Sequence, residues 1–497
     1  MMRKIVVVSL VLGFIGFIVC AQSTPAERAL AGLSSLMEKG VIKPGQTFKI
    51  MIHSGQRNQL APAVEELSKL TGLNIQLVVI GNEPDIYVKV MNEAVVRTGE
   101  YDIFLTFCNW IGDMAEAGVI VPLDEWIAKY DPEIDHGPNR YVSPLDKFTT
   151  QYGGHYYALG MDNDALVLFY RKDLMEDPSE QAAFEARYGR PLKLPETWEE
   201  FDLITEFFDR PEQGMRGAHL YAERVFAYTS WAPRFIAKGG IYFDPYTMDP
   251  MINSPEGVAA LEEIIFLVRN HMFPEAYTAD WSAAYTLFPE GKVFWTIAWA
   301  SLGHWASDPE TSKIAGKVGF AQLPGEYHDG VLYRATPHVV GWSFSICRYG
   351  KAPEAAYLIA QYLNDPTVSA AAITRTGTLD PFRLNHFQDE KLLAAYGPEL
   401  GPVLMLNAEQ SFPDISLRGA NEYLDVLNLN LQAAVAGQIS AKEALDRVAI
   451  AWQEITDRLG RGRQIEAWQQ EIKRYPKHIR ELWVKLGKMD PHTAGLE

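Results

Sequence analysis

The chain has 497 residues, 47% of them hydrophobic and 12% aromatic, with a formal net charge of −18. That length exceeds what one hydrophobic core organises, so two domains or lobes are expected, and the negative balance disfavours nucleic acid and anionic lipid as partners. Three cysteines are too few for a disulfide framework.

Residues 5–20, IVVVSLVLGFIGFIVC, follow Arg3 and Lys4 and precede Ala21. A basic start, a roughly 15-residue apolar run and a closing small residue are the parts of a secretory signal peptide. Residues 1–21 are therefore expected to be removed on export, with the mature chain beginning near Gln22 in the periplasm. The run falls short of the roughly 20 residues that span a bilayer. Lipid anchoring at Cys20 is the weaker alternative, because Phe17, Ile18 and Val19 supply no small residue before it. After cleavage Cys108 and Cys347 remain, and two buried thiols are expected rather than a pair.

Residues 47–53, TFKIMIH, read as a strand. Residues 59–71 carry Leu60, Val64, Leu67 and Leu70 at helical spacing, and 73–80 return to strand, which makes a βαβ unit. A helix from about Asp85 to Arg97 leads to a further strand at 101–107, the alternation a parallel sheet requires. A polar and aromatic turn at Asn109 and Trp110 follows, then a short helix ending at Gly118. Further strands fall near 156–160, 165–170, 292–298 and 339–347, with helices near 353–364 and 440–459. Thr197 with Glu200, and Ser440 with Glu443, fit capping boxes, and Ser254 before Pro255 fits an N-cap. The stripes Val258, Leu261, Ile265, Val268 and Leu445, Val448, Trp452, Ile455, Leu459 read as core faces. The tail after Gly460 reads as a helix packed on the outside.

No HExxH, G-x-S-x-G, P-loop, dinucleotide-binding glycine pattern or CxxC is present. The scattered histidines have no metal-ligand spacing, so neither cofactor nor metal is expected. An exported carbohydrate-active hydrolase or lyase stays open, since a glycosidase needs only two carboxylates brought together by the fold.

Several segments resemble, in order, the family 1 extracellular solute-binding proteins, the maltose-binding-protein-like sugar receptors of bacterial ABC importers. They are YDIFLTFCNWIGDMAEAGVIVPL at 101–123, HYYALGMDNDALVLFYRKDL at 155–174, LPETWEEF at 194–201, INSPEGVAALEEI at 252–264, FPEGKVFWTIAWAS at 288–301, VGFAQLPG at 318–325, the stretch at 341–365 and GQISAKEAL at 437–445. The resemblance implies two α/β lobes of the type II periplasmic binding fold, each a mainly parallel sheet flanked by helices, with ligand between them. Lobe 1 would take 46–154 and 337–410, and lobe 2 would take 155–336 and 411–497.

Carried over position by position, the resemblance implies first-lobe contacts from Ser54, Gln56, Thr106, Asn109, Trp110 and Trp342. The second lobe would offer Asp162, Asp164, Tyr228, Trp231, Trp299 and Arg418. These residue types suit a sugar or sugar alcohol, whose C–H faces lie on aromatic rings and whose hydroxyls meet amides and carboxylates. Partners would be that ligand and the membrane subunits of an ABC permease, with the receptor a monomer. Each tryptophan has core packing as its alternative, and Asp162-Asn163-Asp164 has a capped turn or a cation site. A non-sugar cargo such as a polyamine, peptide or metal remains a further alternative, and Arg418 leaves uronates open.

Overall fold

A computed structural model describes residues 23–497, and the expected leader, with Cys20, lies outside the described residues. No helix among the described residues is long and apolar enough to cross a membrane. The strands that build the two main sheets are, in chain order, β1 (Thr47–His53), β2 (Asn74–Ile80), β3 (Ile103–Thr106), β4 (Ala158–Gly160), β5 (Val167–Arg171), β6 (Arg216–His219), β7 (Val293–Ala298), β8 (Val318–Ala321) and β9 (Ser343–Ile346).

The first sheet has the order β2-β1-β3-β9-β4 and the second the order β8-β5-β7-β6. β1 runs parallel to β2 and β3, while β9 runs antiparallel to both β3 and β4, so one strand is reversed. In the second sheet β6 is parallel to β7, and β5 opposes β7 and β8. The two sheets define two lobes, each with a single reversed strand.

The reversed strands mark two of the places where the chain changes lobe. It leaves β4 in the first sheet for β5 in the second, and later leaves β8 in the second for β9 in the first. Ala158–Gly160 falls inside the 155–336 stretch expected for the second lobe, yet it pairs with β9 in the first sheet. In the same way, the helix Leu400–Glu409 falls inside the 337–410 stretch expected for the first lobe but packs on β5 and β8.

Local chemistry accounts for the elements. In the helix Arg57–Thr71, Leu60, Val64 and Leu67 are buried while Leu70 is exposed, and the helix is closed by Gly72 with φ +71°. Ser254, Thr197 and Ser440 each accept a backbone N–H at their helix starts. The reciprocal half of the two expected capping boxes does not form. Glu200 accepts from the Glu196 amide instead, and Glu443 pairs with Arg447 one turn on.

The tail is not a peripheral helix. It forms two, Arg461–Ile472 and Lys477–Lys485, whose Trp468 and Trp483 are fully buried. Their indole N–H groups donate to the carbonyls of Phe243 (3.0 Å) and Gly240 (2.8 Å), which satisfies the one polar atom a buried tryptophan carries. Cys108 and Cys347 are both buried free thiols.

Candidate functional site

The C-terminal ends of β1, β2 and β3 in one lobe and of β6 and β7 in the other open onto a shared cleft, the place where open α/β sheets take ligands. The cleft holds a cavity of about 590 Å3. One wall carries Glu83 and Tyr87 at the start of the helix after β2, and Phe107, Asn109 and Trp110 from the turn after β3. The other wall carries Arg224, Phe226 and Tyr228 after β6, and Asn421, Asp425 and Asn428 from the helix Ala420–Val435. Val340 and Asp414 lie between them. A narrower space of about 40 Å3 shares Glu83, Phe107, Phe226 and Val340 with it and adds His53, Asp164, Trp281, Tyr285, Trp299, Ser301, Trp342 and Thr378. The cleft therefore tapers from a chamber of ligand size to one of water size.

Phe107 links the two spaces. Its ring stacks on Trp110 at 4.2 Å between centroids and meets Trp342 edge-on at 4.5 Å. On the opposite side Trp299 rests against Tyr221 and Phe226, each 5.1 Å away, and its N–H donates to the Val339 carbonyl. Aromatic surface thus comes from both lobes. Asn428 is committed to the scaffold, accepting from the Tyr228 amide (2.8 Å) and donating to the Val225 carbonyl (2.7 Å). Asn109 Oδ1, by contrast, is buried without a hydrogen-bond partner.

The link between β8 and β9 is strained at the cleft. Val340 has φ +78°, and the Gly341 amide donates to Val339 two residues back (3.2 Å), a tight turn that a β-branched residue adopts only under constraint. The Val340 carbonyl accepts from the Cys108 amide (2.8 Å), and Asp164 Oδ2 accepts from Gly341 N (2.7 Å). These bonds hold the crossing against the first-lobe turn.

Of the residues expected at the site, Asn109, Trp110 and Tyr228 line the larger space, and Asp164, Trp299 and Trp342 line the narrower one. The others sit elsewhere. Trp231 is a correction: it is fully buried, stacks on Phe235 at 4.4 Å and donates to the Gly257 carbonyl, because every residue of its helix, Ala227–Ala237, is buried. Arg418 is a second correction, lining a separate groove with Glu116, Tyr152 and Arg463. Thr106 is buried in the first sheet against Ser345 of β9 (3.1 Å). Gln56 is buried and Ser54 exposed beside the cleft, and neither lines it. Asp162 is buried behind the cleft, accepting from the Asp380 amide (2.6 Å). Asp162, Asp164 and Asp380 each offer a carboxylate oxygen, all within 4.8 Å of one another, and are the acidic residues that could hold a cation.

Residue types gave no signal for Phe107, Phe226 or Val340, which look like any core residue in sequence. A buried Trp231→Phe exchange is expected to leave ligand affinity unchanged in calorimetry, and a weakened complex would return that residue to the site.

Asp414 is buried and accepts from the Tyr228 hydroxyl (2.7 Å). Burial raises its carboxyl to about 7, against the lowering effect of that hydrogen bond. Its folded value lies above the ordinary 3.8, so the proton favours the fold. This contribution is full below about pH 4 and is lost as pH rises through about 7. Melting midpoints of the wild type and Asp414→Asn, compared from pH 4 to 8, should diverge, with the wild type losing more stability over that range. Parallel curves would remove the carboxyl as the cause.

A family model described as bacterial extracellular solute-binding protein matches residues 59–370, more than half of the chain. The chain belongs to that family, whose members bind solutes in such a two-lobed fold. It is 26% identical to a maltotriose-binding protein of Pyrococcus abyssi over 262 residues, 52% of this chain and 50% of that protein. It is 23% identical to a mannitol-binding protein of Pseudomonas aeruginosa over 318 residues, 59% of this chain and 67% of that protein. The chain thus aligns with about half the length of the first of these relatives. Among solved structures, an ABC transporter solute-binding protein of Agrobacterium radiobacter in complex with ribitol superposes with a TM-score of 0.72 at 23% identity, over 83% of this chain and 99% of that one.

Proposed function

We propose that this protein is the exported receptor of an ABC importer, capturing a sugar or sugar alcohol by closure of its lobes and delivering it to the permease without covalent chemistry. The observation that carries the reading is the 590 Å3 interlobe cavity, faced with aromatic rings and hydrogen-bonding groups from both lobes. Only a closed state lets both walls touch one ligand, so ligand shifts the population toward closure. The named ligands of the relatives, maltotriose and mannitol, agree with a polyhydroxylated cargo.

The charge pattern disfavours an anionic ligand. Arg224, the one Lys or Arg among the described residues that lines either space, is paired with Asp425 at 3.1 Å. Arg418 lies in another groove and offers no counter-charge to a uronate in the cleft. The proposed hinge runs through 161–166 and 338–342, which moves the first lobe boundary from 154 to just after Gly160.

Calorimetric titration of the purified protein with ribitol, mannitol, maltose and maltotriose, followed by product analysis, tests the proposal. Saturable binding of at least one, with the ligand recovered intact, is expected. Turnover to new products would establish an enzyme instead. Failure of all four, with binding of a polyamine or peptide, would replace the cargo.

A further inference from the structure

Behind Trp299 and Trp342 three aspartates from distant parts of the chain converge: Asp162 and Asp164 on the crossing from β4 to β5, and Asp380 from the segment that follows the helix Pro366–Ile373. All are at least 97% buried. Each has one oxygen fixed by a backbone N–H: Asp162 Oδ1 by Asp380 (2.6 Å), Asp380 Oδ2 by Ala300 (2.9 Å) and Asp164 Oδ2 by Gly341 (2.7 Å). These bonds aim the carboxylates at one another. The remaining oxygens of Asp162 and Asp380 are buried and have no hydrogen-bond partner.

We infer that Asp162, Asp164 and Asp380 form a binding site for one hard divalent cation of the Ca2+ class, placed where the two lobes meet. The ligands are all oxygen, which selects Ca2+ over softer metals. No Lys or Arg among the described residues is ion-paired with any of the three. Three carboxylates buried together without a counter-charge are costly, and the two unpartnered oxygens are the acceptors a cation would satisfy. The three buried carboxylates repel one another, and a bound cation reverses that repulsion. Asp164 and Ser301 also line the narrow space, which provides the route by which an ion and its last waters reach the site.

The site draws together the crossing from β4 to β5, the residues just after β7 through Ala300, and the 380 segment. A cation there ties the lobes at their hinge and leaves the larger chamber free for ligand. The inference does not depend on the identity of the cargo, and its failure would leave the sugar reading standing.

The test is metal analysis by inductively coupled plasma mass spectrometry of the full chain, stripped with EDTA and then dialysed against CaCl2. Thermal melting of the stripped protein with and without CaCl2 accompanies it. About one calcium per chain and a rise of roughly 3 °C or more in the melting midpoint are expected. Both should be lost in Asp380→Asn and in Asp162→Asn. A stripped wild type that takes up no calcium and melts identically in EDTA and CaCl2 would overturn the inference, whatever the variants do. Calcium uptake retained by both variants would overturn it equally, because the ion would then be held elsewhere.

Discussion

Replacing Phe107 by alanine is expected to weaken ligand binding by on the order of 10- to 100-fold, about 1–3 kcal/mol, comparable to the loss of an aromatic stacking partner. The ring lines both parts of the cleft and is held between Trp110 and Trp342. Its removal takes away apolar surface and also the support that fixes both indoles, so pre-organisation falls along with contact. Phe107→Leu separates the two effects on the protein. It keeps most of the volume, so the melting midpoint should stay near wild type, while the aromatic face is lost and affinity still falls by about tenfold. Titration of both variants with whichever sugar or polyol the wild type binds would decide. Wild-type affinity in both would take the 107 turn out of the binding surface.

Arg383→Ala is expected to lower stability by about 3–5 kcal/mol, the largest effect anticipated for a single residue away from the cleft. The side chain is fully buried. Its guanidinium donates to the carbonyls of Asn364 (3.0 Å), Glu133, Asn139 and Pro132 (each 2.9 Å), and to Asn364 Oδ1 (2.7 Å). It also lies over the Tyr141 ring at 4.5 Å. Alanine takes the partner from four backbone carbonyls at once, while Asn364 Oδ1 keeps the Tyr141 hydroxyl, and lysine, with a single nitrogen, cannot reach the same set. Urea unfolding measures the loss, and a change below about 1 kcal/mol in Arg383→Ala would show that water replaces the guanidinium without penalty. Because Asn364 in turn donates to the Gly160 carbonyl at the end of β4, this network also steadies the chain just before it crosses between lobes.

Chain length and the resemblance to a known family implied the two lobes, while the sequence by itself determined the α/β alternation, the order of strands along the chain, the helix starts at Thr197, Ser254 and Ser440, and the Asn109–Trp110 turn. Each rests on contacts between neighbours in sequence: apolar periodicity, a hydroxyl reaching an amide three residues on, a polar turn at a strand end. Tertiary structure alone decided which tryptophans meet the cleft. Trp110 and Trp231 look alike in sequence, but the first sits on a turn between lobes, whereas the second is on a helix surrounded on every side. The same holds for Asp380, whose approach to Asp162 and Asp164 joins positions more than 200 residues apart, and for Arg418, turned into another groove. Residue type and spacing fix local conformation, while the face a side chain presents across a lobe boundary depends on how distant segments pack, and no local pattern encodes that.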